Sequence, residues 1–133
     1  MKASGKNEMN KFTGKGLPGS FRNAFSGIRV LVNSENNARI HIFILLLVVI
    51  AGIILKISPA HWLAVVLAAG LVLVTECLNT AVEYLSDAIM PEYNPKIKKA
   101  KDLAAAGVLV SAIASFVTGL IVFIPALLRF FDS

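Results

Sequence analysis

Charge is what this chain has least of. Only 16% of its 133 residues are Asp, Glu, Lys or Arg, and three stretches carry none of them: Ile40 to Leu55, Ile57 to Thr75 and Leu103 to Leu128. With 56% hydrophobic residues, this composition belongs to the membrane class and not to soluble domains. The second and third stretches can cross a hydrocarbon core, which takes about 20 residues. The first is long enough if the helix continues through Lys56, whose ammonium can snorkel, to Ile57. The single cysteine, Cys77, excludes an intramolecular disulfide and reads as a small apolar filler. No glycine-rich phosphate loop is present, since Gly14-Lys15-Gly16 lacks the spacing. A signal peptide is not expected, because no small-residue cleavage site follows the first apolar run.

What charge there is lies asymmetrically. Lys2, Lys6, Lys11, Lys15, Arg22, Arg29 and Arg39 precede the first span, and Lys96, Lys98, Lys99 and Lys101 separate the second from the third. Only Lys56 and Arg129 flank the opposite ends, so eleven of thirteen basic residues fall on one side. The positive-inside rule makes that side cytoplasmic and puts the N-terminus in and the C-terminus out. The net charge of +5 is accounted for by topology and anionic headgroups and needs no nucleic-acid partner.

The expected organisation is an all-α membrane protein. Residues 1–19 read as a flexible cytoplasmic tail and 20–133 as the membrane domain. Within it, Phe21, Ala24, Phe25, Ile28, Leu31 and Val32 recur at helical spacing between Arg22, Asn23 and Arg29, which predicts an amphipathic surface helix over 20–33, capped by Ser20. Three spans follow at about 36–57, 61–89 and 97–128. Ser58-Pro59 starts the second, and Pro91 and Pro95 punctuate the cytoplasmic loop before the third. Glu35 and Arg39, at i and i+4, are expected to pair on the first span, and His41 reads as an interface residue. On the third, Gly107, Ser111, Ser115 and Gly119 form a small-residue ridge suited to close helix packing.

Four polar residues interrupt this pattern. Glu76, Asn79, Glu83 and Asp87 fall at i, i+3, i+7 and i+11, within an arc of roughly 80° on an α-helix. A charge at membrane depth costs at least ~2.5 kcal/mol by insertion scales, so such a seam faces a protein interior and has a task. Glu35 and the pair Lys101-Asp102 stand near the same interface. Carboxylates suit Mg²⁺, a lysine suits phosphate oxygens, and a deeper carboxylate suits proton transfer from a hydroxyl. Those are the parts of phosphoryl transfer. The competing reading is a non-enzymatic membrane protein whose seam binds or conducts cations. Three short spans shield so many ionisable groups poorly, which favours an oligomer.

The run Glu76-Cys-Leu-Asn79-Thr-Ala-Val-Glu83-Tyr-Leu-Ser-Asp87, followed by Ala100-Lys101-Asp102-Leu-Ala-Ala-Ala106, resembles the signature of the prokaryotic integral-membrane diacylglycerol and undecaprenol kinases. The likeness runs from about Ser20 to Pro125. It implies a homotrimer with shared active sites that transfers the γ-phosphate of MgATP to a membrane-lipid hydroxyl at the bacterial cytoplasmic membrane. It implies Glu76 as general base and Glu35 with Glu83 as ligands of the nucleotide-bound metal. Asp87, Glu92, Tyr93, Asn94, Lys101 and Asp102 match nucleotide-contacting positions. Asn23 stands where the diacylglycerol enzymes carry a nucleotide-touching aromatic. Arg29, Arg39, Asn79 and Ala105, with Glu76, fall on the lipid-acceptor side, where Ala105 replaces a serine of the diacylglycerol enzymes. Lys15 and Gly16 occupy the neighbourhood of an expected nucleotide-contacting arginine. Asn37-Ala-Arg-Ile-His41, Ala104 to Ala106 and Gly119 to Pro125 look closer to the undecaprenol branch, which makes undecaprenol the favoured acceptor and diacylglycerol a close second.

Overall fold

The computed structural model describes residues 17–132, so most of the expected tail lies outside the described residues. They form four helices in sequence: α1 (Leu17–Ser34), α2 (Asn36–Ile54), α3 (Pro59–Ile89) and α4 (Pro95–Phe131). The last three are long and apolar enough to cross a membrane. The helical stretch before the first span begins at Leu17, which puts Ser20 inside α1 and not at its cap.

Local chemistry explains the boundaries. Ser58 accepts a hydrogen bond from the His61 N–H at 3.3 Å, and Pro59 occupies the first turn of α3 where its missing N–H costs nothing. Asn94 and Pro95 repeat the device on α4, with Asn94 Oδ1 accepting from the Lys96 N–H at 2.9 Å. Between α1 and α2 the cap is made by Arg39. Its Nε donates to the Val32 carbonyl at 2.7 Å and its Nη2 to the Asn33 carbonyl, so a cation sits on the negative end of α1. This corrects the expected Glu35–Arg39 pair: the guanidinium is drawn to orphan carbonyls of the preceding helix.

The first span also ends sooner than expected. Lys56 adopts φ 49°, the left-handed region, while its N–H bonds to the Ile53 carbonyl and that of Ile57 to the Gly52 carbonyl, both at 3.2 Å. This is a Schellman closure with lysine where glycine is usual. It folds Ile57 back into a cluster with Val65, Val122 and Ala126, against which Trp62, Leu55, Val48 and Phe123 pack. Trp62 lies directly on Gly52: a Cβ added there would be 2.8 Å from the indole Cη2.

The longest interface joins α3 and α4, and α2 leans on α3 more lightly. Midway along the α3–α4 seam, Thr75 and the buried Ser111 hydroxyls meet at 2.7 Å. Of the small-residue ridge, Ser111 therefore packs within the chain, whereas a Cβ at Gly107 or Gly119 would meet nothing within 4 Å. Because α2 and α4 stand apart, a groove of about 570 Å³ runs between them over Val72, with Ser115, Phe116 and Phe123 on one wall and Ile44, Val48 and His41 on the other.

Candidate active site

The polar seam of α3 rises from burial to exposure. Glu76 is 2% exposed, Asn79 and Glu83 are half-buried, and Asp87 stands in the open. A single chain thus suffices to bury Glu76 but leaves Glu83 half-buried and Asp87 exposed. The helices achieve this by wedging it between α2 and α3, where His41 Nε2 comes within 3.2 Å of Glu76 Oε1. That approach is an ion-pair distance but lacks hydrogen-bond alignment, and Oε1 has no hydrogen-bonded partner. One turn on, Asn79 Nδ2 donates to Glu83 Oε1 at 3.0 Å, and the Asn79 Oδ1 left over is buried and unpartnered. The Thr80 hydroxyl oxygen is buried and unpartnered too. Polar atoms seldom stay orphaned inside proteins without a reason, and these three cluster on consecutive turns.

Higher up, Lys101 Nζ of α4 donates to Asp87 Oδ1 at 2.7 Å, which ties the start of α4 to the end of the seam. Asp102 does not join them; Lys98 takes it, i and i+4 along α4, at 2.6 Å. Asn94 caps α4, its amide nitrogen resting on the Met90 sulfur at 3.0 Å. Glu92 and Tyr93 project from the loop, Tyr93 being 80% exposed. Asn23 and Arg29 are exposed on α1, Ala105 is exposed on α4, and Glu35 is half-buried at the α1–α2 junction. The structure thus joins Glu76, Asn79, Glu83, Asp87 and Lys101 into one column and adds His41, whose role the sequence left as that of an interface residue. The available signal was its place one turn and a half beyond Glu35, on the span that packs over Glu76.

Among the described residues no three His, Cys, Asp or Glu side chains close into a metal cage. The oxygen donors that are present, carboxylates and the orphaned Asn79 Oδ1, fit Mg²⁺, which takes one or two protein carboxylates together with substrate phosphates.

Comparisons with known proteins carry this further. Residues 22–123 match the family model for prokaryotic diacylglycerol kinase. The undecaprenol kinase of Bacillus subtilis is 35% identical over 122 residues, covering 92% of this chain and 95% of its own length. The diacylglycerol kinase of Synechocystis is 36% identical over 110 residues, covering 82% of this chain, which spans only 63% of that relative's length. All the seam residues lie inside the matched segment, and a purely cation-conducting reading loses its ground. The chain therefore belongs to the prokaryotic diacylglycerol kinase family and is a membrane lipid kinase of the diacylglycerol/undecaprenol type.

Proposed function

We propose that this protein transfers the γ-phosphate of ATP to the hydroxyl of a membrane lipid at the cytoplasmic interface, undecaprenol in preference to diacylglycerol. The observation that carries the reading is a buried carboxylate, Glu76, beside the head of an apolar groove and at the foot of progressively more exposed polar groups. Family membership brings ATP as co-substrate; the geometry supports the division of labour.

The acceptor's tail lies in apolar surroundings and presents its hydroxyl at membrane depth. Glu76 accepts the hydroxyl proton, the freed oxygen forms a bond to the γ-phosphorus, and the bond from that phosphorus to the bridging oxygen breaks as ADP leaves with the electron pair. Asn79 orients Glu83 and keeps its own carbonyl oxygen for the acceptor side. Lys101, with Asp87 holding it, offers its ammonium to phosphate oxygens, and Asp87, Glu92, Tyr93, Asn94, Asp102 and Asn23 frame the nucleotide. Arg29 and Arg39 draw the lipid side to the interface. Glu35 and Glu83 are the residues that would hold Mg²⁺, which would supply charge neutralisation.

The active unit in this reading is a homotrimer with shared sites, in the bacterial cytoplasmic membrane with the N-terminus inside. Eleven basic residues on one side support the orientation. A largely exposed α1, with Phe21 and Phe25 outward, supports a helix lying on the membrane surface. Two observations favour undecaprenol. The undecaprenol kinase of Bacillus subtilis matches this chain over nearly its whole length. And Ala105 offers no hydroxyl to a diacylglycerol ester carbonyl; an unmet carbonyl costs ~1–3 kcal/mol when buried, roughly tenfold to a hundredfold.

The test is labelled ATP with the purified protein in mixed micelles holding either lipid. Both are expected to be phosphorylated, undecaprenol with the higher kcat/KM, and Glu76→Gln is expected to lower kcat by ~10²–10⁴ while the protein stays folded. A clear preference for diacylglycerol overturns the acceptor assignment. Near-native turnover of Glu76→Gln overturns the assignment of the base.

A further inference from the structure

A carboxylate that must be ionised to work, yet is 2% exposed at membrane depth, needs a compensating partner. The cations nearby on the sequence are committed elsewhere: Arg39 caps α1 and Lys101 holds Asp87. From α4 the groove offers Ser115 and no ionisable group, and on α3 the seam continues with Asn79. That leaves His41, whose Nε2 stands 3.2 Å from Glu76 Oε1. His41 also lines both the α2–α4 groove and a second cavity over Val65 and Val72, so it stands between the carboxylate and the apolar space.

We infer that His41 is a positioning residue for the phosphotransfer, holding Glu76 by an Nε2–H to Oε1 contact so that the second carboxylate oxygen faces the acceptor hydroxyl. This rests on the reading of Glu76 as the base. The contact does three things at once. It fixes the carboxylate rotamer, lends positive character beside a charge that hydrocarbon disfavours, and leaves one oxygen free, because a carboxylate has two acceptor oxygens and His41 engages one. The His41 ring nitrogen stands within ion-pair distance of the most buried acid among the described residues.

The test compares His41→Ala and His41→Gln in the full-length protein, with Glu76→Gln alongside. A glutamine amide nitrogen reaches about as far as Nε2 and can donate, but alanine cannot. The expected result is a kcat lowered ~10–100-fold in His41→Ala, the scale on which partners that orient a reactive group act, with KM for ATP within about twofold. His41→Gln should recover most of that loss. His41→Ala turnover within about twofold of wild type, or equal losses in the two variants, or a loss confined to KM, each overturns the inference. If His41→Ala does not fold, His41→Gln decides alone: a folded variant as inactive as Glu76→Gln overturns it, and one close to wild type supports it. An active Glu76→Gln would instead remove the base itself, a failure separable from that of His41.

Discussion

Gly52→Ala tests how α2 is fastened. The added methyl carbon would stand 2.8 Å from Trp62 Cη2, 2.9 Å from Cζ2 and 3.1 Å from Ile57 Cδ1. Carbon atoms rest at ~3.5–4.0 Å, so the indole contact is too close by at least about 0.7 Å. Two contacts fall on a rigid ring, so relief requires the whole indole to turn or α2 to back away from α3. Forced overpacking of this kind costs ~1–3 kcal/mol, and the intrinsic gain of alanine over glycine in a helix, about 1 kcal/mol, offsets only part of it. Chemical denaturation in mixed micelles should register a net loss of ~0.5–2 kcal/mol. The same change in a Trp62→Leu background should cost nothing or stabilise, because the clash is gone. If Gly52→Ala alone stabilises the protein, or if the two changes are additive, then Trp62 does not fasten α2 and the tight approach is not what holds it. Activity adds a second reading: Glu35, Arg39 and His41 all ride on or beside the start of α2, so a helix displaced near Gly52 would tilt groups that the proposed site uses.

Two other outcomes are expected. Glu35→Gln and Glu83→Gln should each raise the Mg²⁺ concentration needed for half-maximal activity, and the double variant should fall short of additivity if both acids hold one ion; titration of activity against Mg²⁺ reads this, and additive effects would separate their roles. Ser111→Leu should destabilise the chain by ~1–3 kcal/mol, since the side chain is buried and bonded to Thr75, while Gly107→Leu meets open space within one chain, so that a change in its oligomer size by light scattering reports contact between copies.

Much of this protein could be read before its structure. The spans were legible because a long charge-free run has few uses other than crossing a membrane, and Pro59 marked where the second begins; Pro95, read as part of the loop, in fact opens α4 behind its cap Asn94. The seam was legible because its spacing alone puts Glu76, Asn79, Glu83 and Asp87 on one face. The end of α2 was not, because a lysine in the left-handed region carries no compositional signal of the kind glycine gives. Arg39 was misassigned because two local partners competed: a carboxylate one turn away, and the carbonyls of a helix whose end only the tertiary turn brings near. Asp102 follows Lys101 directly and Lys98 by four residues, and the i, i+4 geometry decided in favour of Lys98. His41 was hidden for a different reason. A lone histidine on an apolar helix fits several roles, and its contact with Glu76 exists only through the packing of α2 on α3.

The length of α3 has a consequence for how the proposed reaction would bring its two substrates together. The helix has 31 residues, or about 46 Å at 1.5 Å per residue, against a hydrocarbon core of about 30 Å. About a third of its length exceeds that core, and Glu76 and Asp87 are two marks along the helix, about 16 Å apart. In the proposed reading, the first mark would set how deep a lipid hydroxyl must sit and the second how high above it the nucleotide is met. Both marks move with the protein, whereas the hydroxyl moves with the lipid. On that reading, a bilayer that thickens or thins by a few ångströms would shift the acceptor along the helix without shifting the donor, and turnover would change with membrane thickness.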